Sequence, residues 1–237
     1  MKPVRLSRTI HKWLGLFVGL QLLLWAVSGF YMVVVDLDFI HGDPLVRNLR
    51  SAIASEQAKI GFVQIAQLYP EATQISLRAL PISPAPVYEV NSDAGTTLID
   101  AATGQVLSPL PERKIQALAS SYYAGRGTLQ SVTLLTGMPP LEIQTRALPL
   151  WRADFDDWLD SSLYIHPDTG TLVTRRHRFW RWFDFFWMLH IMDHEQRTDV
   201  NNTLLRVSSI VSLMAVVSGL WLLYYSFKRR PTRAALK

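Results

Sequence analysis

Cysteine is absent from all 237 residues. That excludes structural disulfides, thiolate metal sites, iron–sulfur clusters and covalent CxxCH haem attachment. No GxGxxG segment is present, so the nicotinamide and flavin fingerprint is missing as well. Any metal or cofactor must be held by histidine, carboxylate or shape. Charge is missing from two long runs, Trp13–Val35 and Val207–Phe227. Acid is missing from residues 1–12 and from the tail after Phe227.

What is there follows from those gaps. Each uncharged run meets the requirement of roughly 20 apolar residues for a membrane-spanning helix. The first run is longer than a signal-peptide core and no small-x-small cleavage site follows it before Asp36, so it reads as a retained anchor. Lys2, Arg5, Arg8 and Lys12 flank the first span, and Lys228, Arg229, Arg230, Arg233 and Lys237 follow the second. Positive flanks stay inside, which puts both termini in the cytoplasm and the middle of the chain outside. All 19 acids fall between Asp36 and Asp199, against 14 Lys and Arg in residues 36–203, so the outer part is net negative. The overall charge of +5 comes from the membrane flanks and carries no nucleic-acid reading.

The outer part is strand-rich. VYEVNSDAGTTLIDAATGQVL (87–107) reads as two short strands with turns at Asp93–Gly95 and Thr103-Gly104. LIDAATGQVL (98–107) aligns without gaps to YIHPDTGTLV (164–173), which suggests a duplicated strand–turn–strand unit. Apolar periodicity predicts a helix ahead of each copy, Gln57–Leu68 and Glu112–Tyr123. Helix then strands, twice, predicts an α+β ectodomain with helices on one face of antiparallel sheet.

RRHRFWRWFDFFWMLHIMDHEQR (175–197) mixes Trp and Phe with Arg and predicts an amphipathic interfacial helix, running on into the second span through Asn201 and Asn202. The chain therefore divides into 1–35, the cytoplasmic N-terminus and first span; 36–174, the ectodomain, with 57–108 and 112–174 as its two copies; 175–203, the interfacial helix; and 204–237, the second span and basic tail.

Three of the six histidines lie where a membrane site can use them. His11 follows an expected Ser7 N-cap and precedes Trp13 at the edge of the first span; by itself it reads as an interfacial polar residue. His190 and His194 are one helical turn apart, a spacing suited to chelating one transition metal, or to one binding haem iron while the other meets a propionate or solvent, and equally to a pair of ordinary interfacial residues. HEQRT is not HExxH, so the zinc-protease reading fails. His41, His166 and His177 read as solvated. Asp154, Asp156, Asp157 and Asp160 form the densest acidic group, read as a solvated loop ahead of an iron-attracting one. Gly15 and Gly19 form a GxxxG surface for close approach of a helix or flat macrocycle. Ser28-Gly29 and Ser218-Gly219 add small-residue pairs that helix packing explains.

These residues carry a resemblance. RTIHKWLGLFVGLQLLLWAVSGFYM (8–32), with its His-x-Trp-x-Gly entry and late Ser-Gly, resembles the first helix of the PepSY-associated transmembrane family; LHIMDH followed by VVSGLWLL resembles a later helix, and the Thr-Gly turn units resemble its PepSY domains. Members include bacterial inner-membrane reductases of ferric iron and ferric siderophores with b-type haem on membrane histidines. The resemblance thus implies non-covalent haem b, iron as substrate, a quinol or cytoplasmic electron donor, and a ferrous transporter acting downstream. It makes His11 and His190 the leading haem ligands, with His194 next, and the ectodomain periplasmic. Arg178, Arg181, Arg197 and Arg206 are then placed to neutralise propionates, with lipid phosphate as the competing partner.

The larger reductases have about four spans and this chain has two. A C2 homodimer would restore a four-helix bundle with cofactor sites in its core. Two other readings stand beside this one: a non-enzymatic PepSY accessory or sensor that binds a partner protein, and a zinc or copper site on His190 and His194.

Overall fold

The computed structural model describes residues 2–49, 53 and 55–228. The chain forms two compact units, one made of the residues up to Val35 together with those from Phe183 on, the other of Asp36–Trp182.

The first unit rests on two long helices, α1 (Lys2–Val34) and, at the other end of the chain, Thr203–Lys228. Between their charged flanks both are apolar on all faces, as a lipid-embedded helix must be. Arg8–Val34 and Thr203–Lys228 are each long and apolar enough to cross a membrane; at 1.5 Å per residue both reach about 40 Å, beyond the ~30 Å hydrocarbon layer. Phe17, Phe30, Val33, Leu213 and Leu220 are exposed. In water so broad an apolar surface would drive association, whereas lipid solvates it. Where the two helices meet, Val18 and Ala215 are buried. Because α1 begins at Lys2, Ser7 lies within the helix and not at its N-terminal boundary.

The second unit opens with the one-turn helix α2 (Leu37–His41), capped by the Asp36 carboxylate, which accepts from Phe39 N–H at 2.9 Å. Helix α3 is Phe62–Leu68. It starts later than the apolar pattern predicts, because Ile60 is tied outside the helix: its N–H donates to Ala101 O and its carbonyl accepts from Tyr88 Oη, leaving Gly61 as the N-cap. Strands β1 (Gln74–Arg78), β2 (Val87–Ser92) and β3 (Gly95–Asp100) then make an antiparallel sheet in that order. Helix α4 (Glu112–Tyr122) follows, with β4 (Leu129–Leu135), β5 (Leu150–Phe155), β6 (Ser162–Ile165) and β7 (Leu172–Arg176) as a second antiparallel sheet in chain order.

Ile65 of α3 packs with Tyr88, Val90, Ile99 and Ala101. Ile115, Leu118 and Ala119 of α4 pack with Ala153, Phe155, Leu163 and Ile165, and this core also takes in Leu80, Val87 and Leu98 from the first sheet. An α+β domain of two helix-on-sheet halves is therefore joined by one shared apolar core.

The two aligned stretches close with the same turn. Gly104 N–H donates to Asp100 O and Asp100 N–H to Gln105 O; at the matching positions Gly170 N–H donates to His166 O and His166 N–H to Thr171 O. Both glycines are left-handed, at φ 74° and 66°. Ile99 bridges Val106 as Ile165 pairs with Leu172.

Helix α5 spans Arg178–Ile191, since Arg175 and Arg176 complete β7. Its predicted continuation into the second span does not form. Met192 and Arg197 take left-handed φ values of 56° and 59°, and the Asp193 carboxylate gathers the N–H groups of Glu195, Gln196, Thr198 and Asp199. Four donors on one carboxylate hold a tight loop in place of a helix. Helix α6 (Thr203–Lys228) starts afresh: Asn202 Oδ1 accepts from Leu205 N–H, and its Nδ2 donates to Ile191 O at the end of α5.

Candidate functional site

Two histidines of the membrane unit, His11 and His190, are each met by one of the Ser-Gly pairs. His11, on α1, places Nδ1 at 2.8 Å from Ser218 Oγ of α6. His190, on α5, places Nδ1 at 2.8 Å from Ser28 Oγ of α1. Next to Ser218 the fit is tight, since a Cβ on Gly219 would stand 3.0 Å from His11 Cε1; next to Ser28 it is looser, since one on Gly29 would make an ordinary 3.8 Å contact with His190 Cε1. Sequence reading treats these pairs as packing residues; their recurrence as Val-Ser-Gly in both spans is the signal that each has a partner.

Each serine also sits over its own helix's carbonyls. Ser28 Oγ lies 2.7 Å from Leu24 O and 3.2 Å from Trp25 O, and Ser218 Oγ lies 2.8 Å from Ala215 O. Trp25 Nε1 donates to His190 O at 2.8 Å, anchoring the end of α5 on α1, and Tyr31 packs at a tilt against Phe186 with ring centroids 4.9 Å apart. Among the described residues neither His11 Nε2 nor His190 Nε2 has a hydrogen-bond partner.

From His11 to Ser28 is 17 residues of α1, or about 25 Å at 1.5 Å per residue. One metal ion cannot take both histidines of a single chain, because metal–imidazole bonds are about 2 Å. The arrangement is two separate imidazoles near opposite ends of α1. Beside the His11 contact, Leu213, Met214, Val217, Ser218 and Trp221 line an apolar groove of about 430 Å³ on α6.

His194 does not join His190. Helix α5 ends at Ile191, and the left-handed Met192 turns the chain away, leaving His194 exposed in the loop. The shared helix face that a chelating pair needs is absent, and the described residues hold no cluster of three or more His, Asp or Glu able to bind a metal ion. Asp193, in the same loop, is pulled down to about 2, first by the Asp199 N–H and then by its other amide donors, against the opposing effect of burial.

Of the four arginines, three are engaged by carboxylates. Arg178 pairs with Asp160 at 2.6 Å, Arg181 with Glu142 at 2.6 Å, and Arg197 with Asp184. Arg206 is exposed in the first turn of α6, one turn after Asn202, which itself reaches the end of α5.

Two further expectations change. His177 is fully buried, not solvated: Nε2–H donates to Phe39 O at 2.9 Å and Ile40 O at 3.0 Å, carbonyls of the short α2. Burial pushes this imidazole below its ordinary value even though those carbonyls favour the proton. The acidic group 154–160 is not a free solvated loop. Asp154 accepts from Arg152 and Ser162, Asp156 from Thr128 N–H, Asp157 from Tyr123 and Ser161, and Asp160 from Arg178. Burial would raise Asp157, but the Ser161 and Tyr123 hydroxyls outweigh it and hold the carboxyl low; burial and the same bond push Tyr123 up to about 12. His41 is exposed, and His166 is half-buried with Nδ1 accepting from Asp168 N–H at 3.2 Å.

Two apolar helices long enough to span, with an α+β domain between them in the sequence, define a membrane protein with a folded non-membrane part. Residues 8–237 match the PepSY-associated TM region family, and the chain belongs to it. No curated protein and no solved structure matches the chain.

Proposed function

We propose that the protein is a haem-b-dependent membrane oxidoreductase that delivers electrons to Fe(III) or ferric chelates outside the cytoplasm, in support of ferrous iron uptake. The observation that carries this reading is the pair of imidazoles near opposite ends of α1, each tethered through Nδ1 and open at Nε2.

The residues fit the group. A histidine bound to a metal commonly has its second ring nitrogen held by a hydrogen bond, which fixes the ring's orientation. Both histidines have that hold, and the apolar groove beside His11 offers a wall for a flat macrocycle. Bound haem would supply a one-electron iron couple whose potential the protein sets through ligand, burial and nearby charge. His11 and His190 would hold it, one site each. Each chain supplies one imidazole per site, so a second copy completes each pair, which supports a C2 homodimer with a four-helix core. The unused GxxxG face of α1 suits that approach, since an added Cβ at Gly15 or Gly19 would meet nothing within 4 Å.

Arg206 is the candidate to meet a propionate, since Arg178, Arg181 and Arg197 would first have to leave their carboxylates. The positive flanks put both termini in the cytoplasm and the α+β domain on the periplasmic side of a bacterial inner membrane. The reductant is then a quinol or a cytoplasmic donor. The α+β domain faces the ferric substrate.

An optical spectrum of the full-length protein purified in detergent, oxidised and then dithionite-reduced, tests this. The expected result is a Soret band with sharp reduced b-type bands, each weakened by His11→Ala or His190→Ala and unchanged by His194→Ala. Stopped-flow reoxidation by Fe(III) follows. A folded, colourless protein from haem-sufficient cells would overturn the reading in favour of a partner-binding accessory module.

A further inference from the structure

We infer that Ser28 and Ser218 are positioning residues that select the ring tautomer of His190 and His11, holding the proton on Nδ1 and leaving the Nε2 lone pair open. The tautomer stands on geometry alone; its use in holding a cofactor rests on the function proposed above.

A serine hydroxyl has one proton and two lone pairs. Backbone carbonyls accept and never donate. With Ser28 Oγ at 2.7 Å from Leu24 O, the hydroxyl proton must lie between those two oxygens, because two bare lone pairs at that distance repel. The side of Ser28 Oγ that faces His190 Nδ1 at 2.8 Å is then an acceptor. The ring nitrogen must supply the hydrogen. Ser218 repeats the arrangement, with its proton committed to Ala215 O at 2.8 Å and His11 Nδ1 at 2.8 Å.

A neutral imidazole has one N–H, so a proton on Nδ1 leaves Nε2 unprotonated. The neutral ring is the form that can offer a lone pair to a metal. In water the Nε2–H tautomer is the commoner one. The two serines therefore reverse the ordinary preference, independently, at two places in the fold.

The same contact would act on a metal held by the ring. An acceptor on Nδ1–H raises the ring's basicity and favours the more oxidised ion, lowering the reduction potential.

The test has two arms on the full-length protein in detergent. In the first, ¹⁵N-histidine NMR of cofactor-free protein reads each ring's tautomer. His11 and His190 are expected as Nδ1–H forms; Ser28→Ala should return His190 alone towards Nε2–H, Ser218→Ala should do so for His11 alone, and Ser→Thr at either position should keep the wild-type form. Nε2–H rings in the wild type, or rings indifferent to these substitutions, would overturn the inference. In the second, a redox titration of the pigmented protein should show a more positive midpoint in Ser28→Ala or Ser218→Ala, restored by threonine at the same position. An unmoved midpoint would overturn the role towards the metal. A protein that never takes up pigment, yet shows the Nδ1–H rings, would sink the proposed function and leave the tautomer assignment intact.

Discussion

His11 and Ser218 stand 207 residues apart in sequence and 2.8 Å apart in space, His11 Nδ1 against Ser218 Oγ. Gly219 eases that approach, because a Cβ there would stand only 3.0 Å from His11 Cε1. The contact joins the N-terminal end of α1 to the far part of α6, and the His190–Ser28 contact joins α5 to α1 in the same way.

The glycines at these contacts differ in tolerance. Gly219→Ala should displace the His11 ring, which Ser218 holds in place, and lower stability by about 1–3 kcal/mol through overpacking. Gly29→Ala should be close to neutral, since its Cβ would make an ordinary 3.8 Å contact with His190. Thermal unfolding of the two variants in detergent checks the contrast, and equal midpoints would contradict it.

The two equivalent turns should also respond unequally. Alanine at either Gly104 or Gly170 must adopt a left-handed backbone, at about 1–2 kcal/mol. At Gly170 the added Cβ would also stand 2.7 Å from Leu110 Cδ1 and 2.8 Å from Leu118 Cδ1, whereas at Gly104 it would meet Ile60 at 3.8 Å. Gly170→Ala is therefore expected to cost about 1–3 kcal/mol more than Gly104→Ala, measured by denaturant unfolding of the full chain.

Asp193 gives the α5–α6 loop an acid limit. Its folded value, about 2, lies below the ordinary carboxylate value, so its stabilising effect is present above roughly pH 4 and is lost as the pH falls towards 2. Amide hydrogen exchange at Glu195, Gln196, Thr198 and Asp199 should be slow in the wild type and fast in Asp193→Ala. Protection that survives this substitution would show that other contacts hold the loop.

His177 sets a second pH dependence, in the α+β domain. Its folded value is lowered by burial, so the unfolded chain takes up the proton first as the pH falls. The contribution is complete above about pH 6.5 and declines below it. The melting temperature of the wild type should fall between pH 7 and 5 more steeply than that of His177→Asn, whose amide can still donate to Phe39 O and Ile40 O. Parallel curves would mean that His177 does not titrate in that range.

Much of the fold was legible in the chain. Two charge-free runs gave the spanning helices because lipid leaves no alternative to a closed backbone. Helix α4, the β2–β3 turn and the two Thr-Gly turns followed from periodicity and from glycine's freedom at positive φ, both local effects. Candidate ligands were legible only as residue types: His11 and His190 stood out, but so did His194, and nothing in the spacing separated them.

Sequence alone determined the spans, the charge asymmetry of their flanks, and the absence of cysteine, which leaves histidine, carboxylate or shape to hold any cofactor. Tertiary structure decided which histidines are held. The i,i+4 spacing of His190 and His194 presumed a helix that the Asp193 carboxylate ends by collecting four amide donors. The burial of His177 needed α2 to bring two carbonyls to it from 137 or more residues away in the sequence. The serine partners of His11 and His190 arise where helices cross, and a crossing depends on packing between distant segments that no local pattern encodes.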